Sequence, residues 1–333
     1  MEALSRPLEL AAVGLGYWGP NLARNLDDLD GAALTWICDR DEGRLARYGA
    51  RFPDARKTTS FDDLLADDSL DGIAIATPVV THFELAREAL LAGKHIFVEK
   101  PLALSSALGE QLVALAEERA LVLMPGHLLL YHPGVAKLKE LVDSEELGRL
   151  LYVYGNRQNL GQIRKDENAL WSLGAHDLSV ILHLVGEEPA EAWARGESFL
   201  NPGVEDVVFC YLRFPSGVVA HMHLSWLDPH KMRRMTVVGN RKMAVFDDME
   251  PERKVTVYDK GGQEPAETWD AWQTRSGDIT IPRVANDEPL RLECEHFLAL
   301  LNGEGDRVAA AREGLAVVRA LEQLQISLER EHV

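Results

Sequence analysis

The sequence of 333 residues predicts two domains, an α/β domain over residues 1–125 and an α+β domain over residues 126–333. Buried apolar segments alternate with helical patterns over residues 8–124, which is typical of a parallel sheet with helices on both faces. In the second part, longer segments alternate with period two, as in residues 218–226, and predict an open, largely antiparallel sheet. Helices within residues 291–330 are expected to close the second domain.

The elements of the first domain follow from short apolar runs that end at polar or glycine residues. Strands are predicted over 10–13, 34–38, 72–76, 95–98 and 121–124, and helices over 42–48, 61–65, 82–92 and 105–119. Because each strand is followed by a helix, the strands are expected to run parallel.

The second domain changes its pattern after Pro125-Gly126. A helix is predicted over 133–142, and another opens in the segment Trp171–Asp177 and runs to Val185. Strands are predicted over 150–158, 204–214, 218–226, 234–238, 243–246 and 254–258. Residues 261–287 are polar and rich in turn-forming residues, so they are interpreted as irregular surface.

The loop after the first strand carries the pattern G-x-G-x-x-G. Gly14 permits the turn, Gly16 lets a pyrophosphate approach the backbone, and Gly19 lets helix and strand pack closely. Tyr17 and Trp18 lie between Gly16 and Gly19, and the following helix offers free N–H groups to phosphates. A tight turn without a ligand is the alternative, but strand and helix flank the loop on the correct sides. We therefore expect a dinucleotide site.

An acidic residue at the end of the second strand supports this site. Asp39 lies 25 residues after Gly14, about where such folds place the acid that binds the adenosine ribose. Its carboxylate would repel a 2′-phosphate, so NAD is the expected cofactor. Arg40 beside it leaves NADP open.

Two further strand ends carry polar residues, Thr77-Pro78 and Glu99-Lys100-Pro101. Ligands of doubly wound folds bind outside the carboxyl ends of the strands, so Lys100 is expected within reach of the reactive end of the cofactor. A partly desolvated lysine there is suited to carry a proton or to stabilise an oxyanion. A structural ion pair between Glu99 and Lys100 is the alternative.

His176 is the second catalytic candidate, in the segment Trp171–Asp177 that opens a helix. At a helix N-terminus the dipole disfavours an imidazolium, which leaves a neutral ring suited to accept a proton from an alcohol. A packed histidine with no chemical role is the alternative.

The segment Asn156–Asn168 is dense in Arg, Lys, Asn and Gln. Such a cluster suits a phosphate or a carboxylate, although an ordinary solvated loop would have the same composition. The candidate substrate-binding residues in and after it are Arg157, Arg164, Asn168, Trp171 and Asp177.

Composition excludes several function classes. A formal net charge of −18 has the wrong sign for a nucleic-acid or anionic-membrane binder, and no predicted segment is apolar for long enough to span a bilayer. Cys38, Cys210 and Cys294 are far apart, which favours free thiols in a reducing cytoplasm. His221 and His223 share a strand face without a third ligand, so no metal site is assigned.

Three stretches together resemble the Gfo/Idh/MocA family of NAD(P)-dependent sugar oxidoreductases: residues 14–21, residues 76–103 with the E-K-P tripeptide, and residues 174–186. The resemblance covers the order of a nucleotide domain and an open-sheet domain. It implies that Lys100 and His176 are catalytic, and that Thr77, Pro78, His82 and Glu99 line the cofactor site. Two family acids are absent, with Ser172 and Val180 in their places.

The segment before His176 is most similar to members that act on nucleotide-linked sugars, including UDP-N-acetylglucosamine 3-dehydrogenases. The resemblance therefore implies NAD-dependent oxidation of a secondary hydroxyl, at C3 of a nucleotide sugar. The amine of Lys100 and the imidazole of His176 would converge on the nicotinamide. Two alternatives remain open, an NADPH-dependent ketosugar reductase and a non-catalytic dinucleotide-binding regulator. An uncovered sheet face further predicts a homodimer or homotetramer.

Overall fold

The computed structural model describes residues 6–161, 163–165, 167–263 and 273–331. Contacts between residues divide the chain into two units. The first comprises Met1–Leu128 and Glu288–Val318, and the second comprises Leu129–Asp287 and Arg319–Val333.

The first unit is built on a parallel sheet in the order β3-β2-β1-β4-β5-β6. Its strands are β1 (Leu8–Val13), β2 (Ala32–Cys38), β3 (Arg56–Thr58), β4 (Gly72–Ile75), β5 (His95–Glu99) and β6 (Leu123–Gly126). From β1 the chain passes to β2 and β3 on one side of β1, and it then crosses to β4 on the other side. The ends of β1 and β4 therefore form the switch point at which ligands bind in such sheets. This confirms the predicted α/β domain with a parallel, doubly wound sheet, which is the Rossmann fold.

Helices connect these strands: α1 (Gly19–Asp27), α2 (Glu42–Gly49), α3 (Asp62–Leu65), α4 (His82–Leu91) and α5 (Ser106–Arg119). The starts of two of them are set by side chains that accept backbone N–H bonds, as helix N-caps do. Asp41 accepts from Gly43 and Arg44 at the start of α2, and Ser105 accepts from Leu108 at the start of α5.

The second unit contains a sheet in the order β14-β13-β12-β11-β7-β10-β9-β8, in which only the described β7–β10 pair is parallel. The strands are β7 (Leu150–Gln158), β8 (Glu191–Glu197), β9 (Val207–Arg213), β10 (Val219–Ser225), β11 (Met232–Gly239), β12 (Met243–Asp247), β13 (Val255–Gln263) and β14 (Gln273–Thr280). The expected open, largely antiparallel sheet is confirmed. One face packs on α6 (Pro133–Asp143) and α7 (Ala175–Val185).

The structure differs from the sequence prediction in residues 261–287, where β13 continues to Gln263 and β14 follows. The prediction of irregular surface was wrong for these strands. β14 pairs with β13 alone and most of its residues are exposed, so it lacks the apolar alternation that reveals a half-buried strand. β8 was also missed, because charged residues occupy three of its four exposed positions, Glu191, Arg195 and Glu197.

The closing helices are α8 (Pro289–Leu301) and α9 (Ala309–Glu331). The sequence prediction placed both in the second domain, whereas α8 and residues 309–318 group with the first sheet. The reason is a shared core, in which Phe297 of α8 packs edge-on against Phe97 of β5 with ring centroids 5.8 Å apart. In the part of the chain that the structure describes, no helix combines the length and apolar character needed to cross a bilayer.

Candidate cofactor site and catalytic residues

The three glycines of the loop after β1 have different steric environments. A methyl group on Gly14 would lie 2.8 Å from the carbonyl oxygen of Ala76, and the φ angle of +88° also favours glycine. A methyl group on Gly19 would overlap the carbonyl oxygen of Gly14. At Gly16 the nearest atom would be a nitrogen of Arg44, 3.9 Å away. The protein itself therefore needs Gly14 and Gly19, while the open space at Gly16 fits a dinucleotide pyrophosphate.

Asp39 is tied to this loop from the end of β2. Its Oδ2 accepts the backbone N–H of Leu15 at 2.6 Å, and its Oδ1 accepts that of Asp41 at 2.8 Å. The guanidinium of Arg44 lies 3.6 Å from the same carboxylate. Arg40, predicted beside it, is exposed. Arg44 was not among the residues predicted for this site, although it lies in the first turn of α2, the helix that follows the acid.

Trp18 joins the glycine loop to the end of β5. Its side chain is hydrogen-bonded to the carboxylate of Glu99, and Glu99 also accepts the backbone N–H of Lys100 at 3.3 Å. Burial of the Glu99 carboxyl raises its pKa to about 7, a shift opposed by Lys100 and by both hydrogen bonds. The Lys100–Pro101 peptide bond is cis. The predicted site residues Trp18, Glu99 and Lys100 are thus brought together. The side chain of Tyr17, in contrast, is 93% exposed.

His82 lies behind the predicted cofactor residues. The ring is 1% exposed, with Nδ1 2.9 Å from the carbonyl oxygen of Pro101 and Nε2 2.9 Å from that of Thr77. Burial lowers the pKa of the imidazole. His82 therefore links the loops that follow β4 and β5. Pro78, next to Thr77, is exposed.

His176 does not stand at a free helix N-terminus. A π-helical turn, Leu170–Gly174, runs directly into α7, so the backbone before His176 is already helical. The prediction that the dipole of a helix start acts on this imidazole was therefore wrong. The ring is half-buried, and its backbone carbonyl accepts the hydroxyl of Ser179 at 2.8 Å.

Two predicted substrate-binding residues, Arg157 and Asp177, pair with each other. The Asp177 Oδ1 lies 2.8 Å from Nε and 2.7 Å from a terminal nitrogen of Arg157, and both residues are buried. Asp177 lies against β7, where a methyl group on Gly155 would come within 2.9 Å of its Oδ2. The pair connects α7 to the sheet.

Asn168 and Trp171 share a partner on α9. The Asn168 side chain donates to Glu205 at 2.7 Å and to Gln325 at 3.0 Å, and the Trp171 indole donates to Gln325 at 3.2 Å. The Oδ1 of Asn168 also accepts the backbone N–H of Trp171 at the start of the π-helical turn. Arg164 is exposed and paired with Glu167.

The uncovered face of the second sheet is aromatic. Tyr154 stacks on His221 with ring centroids 4.9 Å apart, and Phe209 stacks on His223 at 4.4 Å. Trp193 on this face is 51% exposed. Among the residues described, no group of three or more His, Cys, Asp or Glu is arranged to hold a metal ion.

Two buried polar residues near Glu99 were missed. His127 follows β6 and Glu293 lies on α8, and they are 3% and 0% exposed. For both, no described residue provides a hydrogen-bond partner to the side-chain nitrogen or oxygen atoms. A signal for Glu293 was present, because it shares a helix face with the apolar residues Leu290 and Phe297.

The different surroundings of the glycines lead to a prediction. Gly19→Ala is expected to destabilise the protein by about 1–3 kcal/mol or more, because its methyl group overlaps the backbone. Gly16→Ala is expected to leave stability unchanged but to weaken NADH binding by about tenfold, or about 1.4 kcal/mol. Thermal unfolding and NADH fluorescence titration measure the two effects. Equal NADH affinities for Gly16→Ala and the parent chain would contradict the assignment of the loop.

Comparisons with known proteins agree with this geometry. Residues 8–127 match the model of the Gfo/Idh/MocA oxidoreductase family with an NAD-binding Rossmann fold, and residues 135–245 match its C-terminal domain. The 2,7-anhydro-N-acetylneuraminate hydratase of Escherichia coli is 29% identical over 229 residues, 64% of this chain and 60% of that protein. The chain thus spans less than two thirds of the length of this relative.

Other relatives align over more of their length. UDP-N-acetylglucosamine 3-dehydrogenase of Acidithiobacillus ferrooxidans is 28% identical over 255 residues, 76% of this chain and 78% of that protein. Its structure superposes with a TM-score of 0.82 at 26% identity, covering 97% and 98% of the two chains. GenD2 from gentamicin A biosynthesis, solved in complex with NAD, also gives a TM-score of 0.82 at 26% identity, covering 99% and 96%. With both of its parts matched by models of one family, the chain belongs to the Gfo/Idh/MocA family of NAD-binding oxidoreductases.

Proposed function

We propose that the protein is an NAD-dependent dehydrogenase that oxidises a secondary hydroxyl of a sugar, at C3 of a nucleotide sugar. The observation that carries the proposal is the connection from the glycine loop through Trp18 and Glu99 to Lys100. It anchors the backbone of a lysine to the loop that is shaped for a dinucleotide. The substrate class is supported by the name of the A. ferrooxidans relative.

In this proposal His176 accepts the hydroxyl proton, and Lys100 donates a hydrogen bond to the same oxygen as the carbonyl forms. The bound nicotinamide supplies the hydride acceptor. The hydroxyl carbon thus loses a hydride, its oxygen loses a proton, and a ketone results. Pro101 and Glu99 flank Lys100 and limit its backbone freedom.

Asp39 is proposed to accept hydrogen bonds from the adenosine ribose. Its carboxylate is 7% exposed and already holds Leu15, so it is fixed in position before the cofactor binds. A fixed negative charge disfavours a 2′-phosphate, which favours NAD. Arg44, 3.6 Å away, reduces that repulsion without removing it.

Substrate binding is assigned to the second unit. Arg164 is exposed, and its guanidinium is the candidate group for a diphosphate. Arg157 is proposed to contact the substrate only while its guanidinium is held in place by the ion pair with Asp177. The side chains of Asn168 and Trp171 are proposed to shape the same region through Gln325.

The aromatic face of the second sheet is proposed to pair with a second copy in a homodimer or homotetramer. Exposed aromatic area of this kind is costly in water and is covered in symmetric assemblies. A cytoplasmic location is also proposed, and the free, buried thiols of Cys38, Cys210 and Cys294 support it. Sedimentation equilibrium tests the assembly, and a monomer at micromolar concentration would contradict it.

A substrate screen tests the proposed reaction. Nucleotide sugars, free sugars and polyols are each mixed with NAD and with NADP while nicotinamide absorbance is followed. The expected result is NADH formation with a nucleotide sugar and a lower rate with NADP. Product mass is measured in parallel, because a relative is named a hydratase and a redox-neutral turnover would leave absorbance unchanged. Preference for NADPH with a ketosugar, or NADH binding without any turnover, would overturn the proposal.

A further inference from the structure

Glu293 is a buried carboxyl group with no role in the proposed reaction. It is 0% exposed, and within the described residues neither of its oxygens has a hydrogen-bond partner. A buried carboxylate without a partner is strongly unfavourable, whereas the protonated acid is far less so. Its position on α8 therefore needs an explanation.

The packing of α8 on β5 brings this group to the end of the strand. Phe97 and Glu99 point to one side of β5 because side chains two residues apart share a face. Phe297 and Glu293 lie four residues apart and share a face of α8. The spacings also match, at about 6.6 Å along the strand and about 6 Å along the helix. Leu301, one turn after Phe297, lies against Gly72, which pairs with His95 at the start of β5, so α8 runs antiparallel to β5. With Phe97 packed on Phe297, Glu293 therefore comes beside Glu99.

We propose that Glu99 and Glu293 form a buried carboxyl pair that holds at least one proton at neutral pH and thereby sets the charge beside Lys100. Two carboxylates in one buried site cannot both ionise without strong repulsion, so the pair titrates as a unit. Glu293 keeps the proton, because Glu99 has the Trp18 side chain and the Lys100 backbone to stabilise its charged form.

The directions of the pKa shifts agree with this arrangement. Burial, and secondly Glu99, raise the pKa of Glu293 well above its ordinary range. Burial raises the pKa of Glu99 to about 7. Lys100 and Trp18 act on Glu99, and Cys294 lies near both carboxyl groups. Farther out, Glu288 and Arg24 lie near Cys294, and His127 lies near Lys100. Lys100 is the cation that acts on Glu99.

The inference rests on the proposed function only for what Lys100 does. While Glu293 stays neutral, Glu99 is free to ionise above about pH 7 and then to favour the ammonium form of Lys100. An ionised Glu293 would instead keep the proton on Glu99. Glu293 is therefore a positioning residue that acts on Lys100 through Glu99.

The test uses the protein without cofactor, so that it does not depend on turnover. Unfolding by urea is measured from pH 5 to 9 for the parent chain, Glu293→Gln and a control on the exposed side of the same helix, Glu295→Gln. The folded chain binds more protons than the unfolded chain between about pH 4.5 and the raised pKa, so stability falls as pH rises there. Relative to Glu293→Gln, the unfolding constant of the parent chain is expected to rise by up to tenfold per pH unit.

Glu295→Gln is expected to follow the parent chain. Infrared spectra at pH 7 supply a second readout, in which the protonated carboxyl band of the parent chain and of Glu295→Gln is expected to be stronger than that of Glu293→Gln, where Glu99 alone of the pair can contribute. Parallel unfolding curves for the parent chain and Glu293→Gln, or a band that Glu293→Gln leaves undiminished, would overturn the pair. Normal NADH binding alongside that result would leave the proposed function intact.

The effect on Lys100 is tested with the substrate found in the screen. Glu293→Gln fixes a neutral side chain, so the pH profile of kcat/KM is expected to match the parent chain near pH 7 and to depart from it at higher pH. Glu293→Asp, which restores a titrating group, is expected to return the profile toward that of the parent chain. A profile that changes in height alone, with no change in shape, would overturn the link to Lys100.

Discussion

Lys100→Ala is expected to lower kcat by about 10²- to 10⁴-fold, the range found when a positioned proton-transfer group is removed. The loss is expected because the variant removes the proposed hydrogen-bond donor to the substrate oxygen. NADH affinity is expected to stay nearly unchanged, since the glycine loop and Asp39 keep their bonds. Steady-state turnover and NADH fluorescence titration separate the two quantities.

Lys57→Met provides the matched control for this variant. Lys57 lies on β3 of the same sheet and is exposed, so its removal is expected to leave kcat unchanged. Full turnover by Lys100→Ala would remove this lysine from the mechanism. An equal loss of turnover in Lys57→Met would show that the assay reports charge or folding instead of chemistry.

Asp177→Ala is expected to lower the free energy of unfolding by about 3–5 kcal/mol, because it leaves the Arg157 guanidinium buried without its partner. The double variant Arg157→Met with Asp177→Leu removes both charges and is expected to recover most of that loss. Urea unfolding of the single and double variants measures the coupling.

The same pair distinguishes a structural role from substrate contact. The double variant is expected to fold normally. Its KM is expected to be raised if Arg157 binds the substrate. Unchanged KM in the stable double variant would remove both residues from the proposed binding site. Loss of stability no greater in Asp177→Ala than in an exposed control, Asp143→Ala, would show that the buried pair contributes nothing.

The first sheet and its glycine loop could be predicted from sequence because their signals are local. Gly14, Gly16 and Gly19 follow a buried strand, and a helix starts at Gly19, so backbone geometry follows from neighbours in the chain. Lys100 could be predicted as a site residue for the same reason, since it directly follows β5.

The remaining features depend on residues far apart in sequence. Nothing near Asp177 indicates that Arg157 is its partner, because the contact forms only when α7 packs on β7. Glu293 lies 194 residues after Glu99, and their relation follows only from the Phe97–Phe297 packing. β14 was missed because an edge strand with two exposed faces carries no alternation.

The His82 ring connects the loops after β4 and β5, so the motions of the two loops are expected to be coupled. A neutral imidazole carries one N–H, so at any moment only one of the carbonyls of Thr77 and Pro101 accepts from it. The segments beside Thr77 and Lys100 are therefore expected to open and close together. In amide hydrogen exchange their protection should rise in parallel on NADH binding, and His82→Phe, which fills the space without a donor, should uncouple them.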